Sequence, residues 1–206
     1  VRFVVKFSSP SVGVFDLPLT FEAVGTGRRY ALHVSGTCAF PSINADPRNV
    51  FMRRVKHRAE GAVPPVSKRF VVSRGQYEFG PLLTWKKAEN RRDTRFDGMN
   101  AFNALAKTNA ETFRLSNDGR FPVKVSLAFE KQPQSSVRKV FYVEPENLEL
   151  SIGETAEVRT WAFPSEVRVY KDTLIACLTD NPRPVLFPLS CCGAAPRMVM
   201  EGPWDE

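Results

Sequence analysis

The feature that most constrains this chain is strict alternation of apolar and polar residues, carried by two facing segments. Phe15, Leu17, Leu19, Phe21 and Ala23 alternate with Asp16, Thr20 and Glu22. After Gly25-Thr26-Gly27-Arg28, Tyr30, Leu32 and Val34 alternate with Ala31, His33 and Ser35, and Gly36 ends the run. A period of two places every second side chain on the same face of an extended strand, whereas a helix needs a period of 3.6. The glycine-rich break supplies turn residues. The segment therefore reads as a β-hairpin with one apolar face, and His33 falls on its polar face as an exposed histidine with no chemistry attached.

The same hairpin recurs near the far end of the chain. Phe15, Leu19, Tyr30, Leu32, Val34 and Gly36 correspond to Tyr170, Leu174, Phe187, Leu189, Cys191 and Gly193. Each copy follows a Phe-then-Pro segment, Phe7 with Pro10 and Phe163 with Pro164, and each is followed by a proline, Pro41 or Pro196. The second hairpin loop is two residues longer. A repeat of this kind signals tandem copies of one module. Residues 1–46 read as the closing strands of an incomplete module, 47–67 as a linker, 68–195 as a complete module and 196–206 as the start of the next module or a linker. The opening Val1–Phe7 reads as a strand, and the chain as part of something longer. A lone hairpin has no opposing sheet to cover its apolar face, so residues 1–40 should be unstable unless partner strands are supplied or they dock on the second module.

Between the hairpins, strands follow one another at short intervals. They are expected at Phe70–Val72, at Tyr77–Leu83 with a bend at Gly80-Pro81, and at Thr112–Asn117, Val123–Glu130, Val140–Val143, Leu148–Ile152 and Ala156–Phe163. The closing hairpin, Tyr170–Leu178 and Val185–Cys192, completes the set. About seven strands separated by turn residues point to an all-β, immunoglobulin-like antiparallel β-sandwich. A charged insertion spans about 85–110, with helical character at Met99–Lys107, and a short strand is expected at Asn49–Met52 in the linker.

Nothing in the sequence assembles a catalytic centre. The chain has two histidines, His33 and His57, and no CxxC pair, so zinc-ligand spacing is absent and no cofactor is expected. No nucleophile elbow, HExxH or P-loop occurs. Glu144 and Glu146 flank Pro145 as strand-bounding residues, and Asn117-Asp118-Gly119 is a turn. An enzyme is not expected. Cys38, Cys177, Cys191 and Cys192 read as reduced thiols of an intracellular chain, with a Cys177–Cys191 bridge across adjacent strands as the alternative.

The formal net charge is +7. Basic residues gather at Arg53, Arg54, Lys56 and Arg58, at Lys86 and Lys87, and at Arg91 and Arg92. Such clusters either face solvent in loops or attract an acidic partner. They lack the interleaved aromatics of a single-strand nucleic-acid surface, and no apolar run reaches the ~20 residues of a membrane helix.

Thr112–Gly119 followed by Phe121-Pro122-Val123-Lys124-Val125 resembles the early strands of the ASH domain, a relative of the major sperm protein fold. Pro145–Leu150 with Ile152-Gly153-Glu154 is similar to its middle section. Asp172–Cys177, Asp180–Val185 and Leu189–Gly193 with Pro196 are similar to its closing hairpin. Tyr77–Leu83 and Leu17–Glu22 with Gly25–Tyr30 narrow the likeness to long tandem-ASH chains of motile cilia. The resemblance implies a non-catalytic scaffold in the central pair apparatus of the axoneme. Its partners would be microtubules, other central-pair proteins and neighbouring ASH modules, with no nucleic acid and no membrane. The candidate contacts for acidic tubulin tails are Arg53, Arg54, Lys56, Lys86, Lys87, Arg91 and Arg92. The competing expectation is an adaptor of the major-sperm-protein type that binds acidic peptides for membrane or centrosome tethering. A pilus-type chaperone shares the sandwich but needs a secretory leader.

Overall fold

A computed structural model describes residues 2, 4–57, 68–84, 106–131 and 139–195. The chain divides into two compact units, Val1–Pro41 and Ser42–Glu206.

In the first unit, β1 (Gly13–Glu22) and β2 (Arg29–Cys38) pair antiparallel with Leu19 opposite Leu32 and Phe15 opposite Gly36. The Ala23 N–H donates to the Arg28 carbonyl at 2.9 Å, and the loop between them carries Gly25 at φ 93° and Gly27 at φ 64°. Those left-handed angles suit glycine, which has no Cβ to clash. The opening strand expected at Val1–Phe7 is not found at residues 4–9, which take no strand pairing, while Val1 and Phe3 lie outside the described residues. Instead the Phe7 ring sits 5.3 Å from that of Phe15 and lies over Gly36, where a Cβ would come within 3.0 Å of it. Leu17, Tyr30 and Leu32 remain at least half exposed.

The second unit is a two-sheet, immunoglobulin-like sandwich. Its elements are α1 (Pro47–Val50), β3 (Arg54–Val55), β4 (Arg69–Val71), β5 (Gln76–Leu83), β6 (Ala110–Ser116) and β7 (Val123–Phe129). They continue with β8 (Phe141–Glu144), β9 (Asn147–Leu150), β10 (Thr155–Ala162), β11 (Val169–Leu178) and β12 (Val185–Ala194). A seven-stranded sheet runs β3-β4-β5-β12-β11-β7-β9, and a three-stranded sheet runs β6-β10-β8. The pairings are antiparallel except β3–β4 and β5–β12, which are parallel. Every second residue of β7, from Val123 to Phe129, is buried while the intervening ones are exposed, as the alternation predicts. Opposite it, Phe113, Leu115, Phe141, Val143 and Val158 line the inner face of the smaller sheet. The bend expected at Gly80-Pro81 is present: Gly80 takes φ 74°, and the β5–β12 register shifts between Ser190 and Cys192. Such a bulge bends the strand and shifts its alternation, so that Tyr77 and Phe79 before it and Leu82 after it all face the core.

Residues 47–57 correct the linker reading. They hold α1, where a strand had been expected at Asn49–Met52, and they hold β3. Asp46 caps α1 by accepting a bond from the Arg48 N–H at 2.8 Å, with Pro47 at the start of the helix where its missing N–H costs nothing. Phe51 follows and is fully buried, stacked at 4.6 Å on Phe70 and 5.2 Å on Tyr77, with Phe113 edge-on at 4.9 Å. Burying one aromatic in this way favours folding by several times the thermal energy, which fixes the segment onto the sandwich. Residues 58–67, the rest of that linker, and 85–105, most of the charged insertion, lie outside the described residues; residues 106–109 are helical.

The closing hairpin pairs Leu174 with Phe187 and Tyr170 with Cys191. By the sequence correspondence, the first hairpin would pair Leu19 with Tyr30; it pairs Leu19 with Leu32 instead. The shift is two residues, a whole pleat repeat, so each side chain keeps its face. The register also excludes the Cys177–Cys191 bridge. Cys191 faces Tyr170, about 20 Å along β11 from Cys177 at the usual rise per residue, far beyond disulfide reach. All four cysteines are free.

Candidate interaction surface

The basic candidates that the structure describes lie together where α1 leads into β3, at one edge of the seven-stranded sheet. Arg53, Arg54 and Lys56 are exposed. Their backbone is pinned: the Phe70 N–H donates to the Arg53 carbonyl at 2.8 Å, and the Ser73 N–H to the Lys56 carbonyl at 3.0 Å. The Arg54 guanidinium donates to the carbonyls of Arg48 and Phe51, which ties α1 to β3 and uses part of its hydrogen-bonding capacity on its own chain. Lys86, Lys87, Arg91 and Arg92 lie outside the described residues, as does Arg58.

Three residues beside this edge were not picked out from the sequence. Lys68 is half-buried and donates to the carbonyls of Thr108 and Ala110, the latter at 2.5 Å. Burial is the main cause that pushes its ammonium pKa below the usual lysine value; the Arg53 charge adds to this and Glu111 opposes it. The buried Tyr77 hydroxyl donates to the Glu111 carboxylate at 2.6 Å. Burial first, then that bond, raises the phenol above its ordinary range. The signal available in the sequence was the polar Glu111 just ahead of the Phe113–Leu115 alternation, but nothing there says which strand it meets. Asp46, close by, is held below the usual carboxylate pKa by its bonds to Arg48.

The outer face of the smaller sheet carries a second surface. Trp161 lies opposite Tyr142, and Tyr142 stands edge-on to Phe163 at 5.8 Å. The Arg159 guanidinium lies 6.0 Å from the Trp161 ring and the Lys139 ammonium 5.1 Å from that of Tyr142. Arg114 and Glu157 pair across β6–β10 at 3.7 Å. A shallow cavity of about 300 Å³ opens on the other sheet, beside the Gly80 bulge, between Arg74, Gln76, Glu78, Lys171 and Ser190. There Glu78 is buried and paired with Arg74 at 3.1 Å. The adjoining Cys191 thiol is pushed up to about 12, chiefly by burial, so it stays protonated at neutral pH. Among the described residues no group of His, Cys, Asp and Glu is placed to hold a metal ion, and no helix is long and apolar enough to cross a membrane. His33 stands 3.8 Å from Asp16 with both side chains exposed.

No protein-family model matches the chain. It is 34% identical over 197 residues to the hydrocephalus-inducing protein of Mus musculus, covering 96% of this chain. It is 32% identical over 201 residues to the hydrocephalus-inducing protein homolog of Homo sapiens, covering 98% of this chain. The chain spans 4% of the length of each relative. Among solved structures it is similar to the ASH/PapD-like domain 7 of human CEP192, at 14% identity and a TM-score of 0.41, over 69% of this chain and 97% of that one. It is also similar to SSP-19, an MSP-domain protein of Caenorhabditis elegans, at 13% identity and a TM-score of 0.33, over 41% of this chain and 86% of that one. Along nearly its whole length, this chain is a homologue of a short stretch of the hydrocephalus-inducing proteins.

Proposed function

We propose that this chain is a scaffold segment of a long, tandem-module protein in the central pair apparatus of the ciliary or flagellar axoneme, where it supports motility. The observation that carries the reading is the homology to hydrocephalus-inducing proteins over nearly every residue. The repeated hairpin supports the tandem architecture, and the free edges and outer faces of the sheets are surfaces on which neighbouring axonemal proteins can pack or add strands. At the β3 edge, Arg53, Arg54 and Lys56, joined by Lys86, Lys87, Arg91 and Arg92 of the insertion, attract the acidic tails of tubulin. The protein resides in the cytoskeleton of the cilium, takes no cofactor, and engages neither nucleic acid nor membrane.

The test is to tag the protein in a flagellated cell and image it against axonemal markers, with a knockdown scored for beating. Signal along the axoneme with stalled beating or central-pair loss is the expected result. Signal on the endoplasmic reticulum with normal beating would replace this reading with that of an acidic-peptide adaptor. The tubulin contact is tested separately by co-pelleting with microtubules. Arg53→Glu/Lys56→Glu should weaken pelleting at low salt, and 0.5 M salt should abolish the wild-type signal, because exposed charges are screened beyond a few ångströms there.

A further inference from the structure

Matching side chains of the β1–β2 and β11–β12 hairpins differ in burial. In the second unit Leu174, Phe187, Leu189 and Cys191 are buried, because β6-β10-β8 lies against them. Their counterparts in the first unit are Leu19 and Val34, which are half-buried, and Tyr30 and Leu32, which are 57% and 50% exposed. Leu17 and Phe21, on the same face, are exposed as well. We infer that this face is a docking surface for a three-stranded antiparallel sheet of the β6-β10-β8 kind, supplied by the same polypeptide upstream of β1.

Several observations select that occupant. The repeat assigns the exposed Tyr30 and Leu32 the counterparts Phe187 and Leu189, which such a sheet covers. A second copy of the described sandwich cannot lend its own small sheet, since Phe113, Leu115, Phe141, Val143 and Val158 on its inner face are already buried against the seven-stranded sheet. The relatives give room for the missing strands, this chain matching only 4% of their length. The hairpin is also prepared for a cover: Phe7 already lies over Gly36 as the segment around Glu166 lies over Gly193, so what its apolar face lacks is the opposing layer. A contiguous apolar face left in water is the usual mark of an interaction site. The inference rests on the tandem-module part of the proposed function and is independent of its axonemal part.

Hydrogen exchange followed by mass spectrometry tests it, comparing the 206-residue chain with a chain extended upstream through its own reading frame. In the 206-residue chain, at a mass measured to be monomeric, amides of β1 and β2 should exchange at least about 100-fold faster than those of β11 and β12, as expected for strands without a packed core. In the extended chain the two hairpins should be protected to within about tenfold of each other. Leu32→Ser in the extended chain should release β1 and β2 while leaving β11 and β12 unchanged. Slow exchange of β1–β2 in the monomeric 206-residue chain would overturn the inference. So would protection that appears only with a concentration-dependent dimer, which would assign the face to a second copy. An extended chain that gains no protection, an upstream frame that encodes no such strands, or an inert Leu32→Ser variant would overturn it too. None of these outcomes reports on where the protein resides in the cell.

Discussion

Gly36 and Gly193 hold matching places in the two hairpins, and each lies under chain that crosses it. At Gly193 a methyl group would overlap the Glu166 carbonyl, a backbone atom that cannot swing aside, while the Gly193 N–H is engaged by Arg168 at 2.8 Å. At Gly36 a methyl group would meet only the Phe7 ring, a side chain free to rotate. Gly193→Ala should therefore lower the unfolding free energy by about 1–3 kcal/mol, the range for overpacking, and Gly36→Ala by much less in urea titrations. Equal losses would show that the crossing chain yields as easily as the ring. Cys191 makes a pH prediction. Its folded pKa lies above that of a free thiol, so its contribution to stability is complete below the unfolded value near 8.5 and is lost as pH rises toward about 12. Stability of the wild type should fall through that window, and Cys191→Val should flatten the fall. At pH 8, alkylation should reach the exposed Cys177 long before Cys191; simultaneous labelling would mean that the thiol is not shielded by the fold. Asn117 shows the limit of reading single residues. The sequence marks it as a turn residue, yet in the fold its buried side-chain amide donates to the carbonyls of Phe121 at 2.8 Å and Leu150 at 3.0 Å and knots β6 to β9.

Among the elements, legibility followed periodicity. The strands from β6 to β12 were readable because one face is buried and the other wet, so the alternation records the sheet directly. α1 and β3 were not, since a four-residue helix and a two-residue strand are too short to show a period. Phe51, a lone aromatic in proline-rich, basic surroundings, carried no pattern to announce a core residue. Phe51→Ala should cost about 3–5 kcal/mol in urea titrations, as for other fully buried aromatics. A loss under about 1 kcal/mol would mean that residues 42–57 are only loosely attached. Register was hidden for a different reason: a shift of two residues preserves both faces, and the choice passed to the loop, where Gly25 and Gly27 set the turn. The candidate patch was legible as charge but not as geometry. The sequence could not foresee that Arg54 would bond the carbonyls of its own segment, nor that Lys68 would fold in beside Arg53.

At the scale of the whole molecule, the buried core among the described residues is drawn from the second unit. Removing residues 1–41 should accordingly leave its thermal midpoint within about 3 °C, a change worth about 1 kcal/mol for a domain of this size; a drop of about 10 °C would show that the first unit stabilises the second. The parallel pairing of β5 with β12 has a mechanical corollary. Force entering β5 from its N-terminal side and leaving β12 from its C-terminal side pulls the two strands in opposite directions along a shared axis. Their hydrogen bonds, from Leu189 opposite Tyr77 to Ala194 opposite Leu83, are then loaded in shear and must fail together, whereas an antiparallel hairpin pulled at its open end unzips one bond at a time. A sandwich wired this way resists stretching between the start of β5 and the end of β12 far better than its equilibrium stability would suggest.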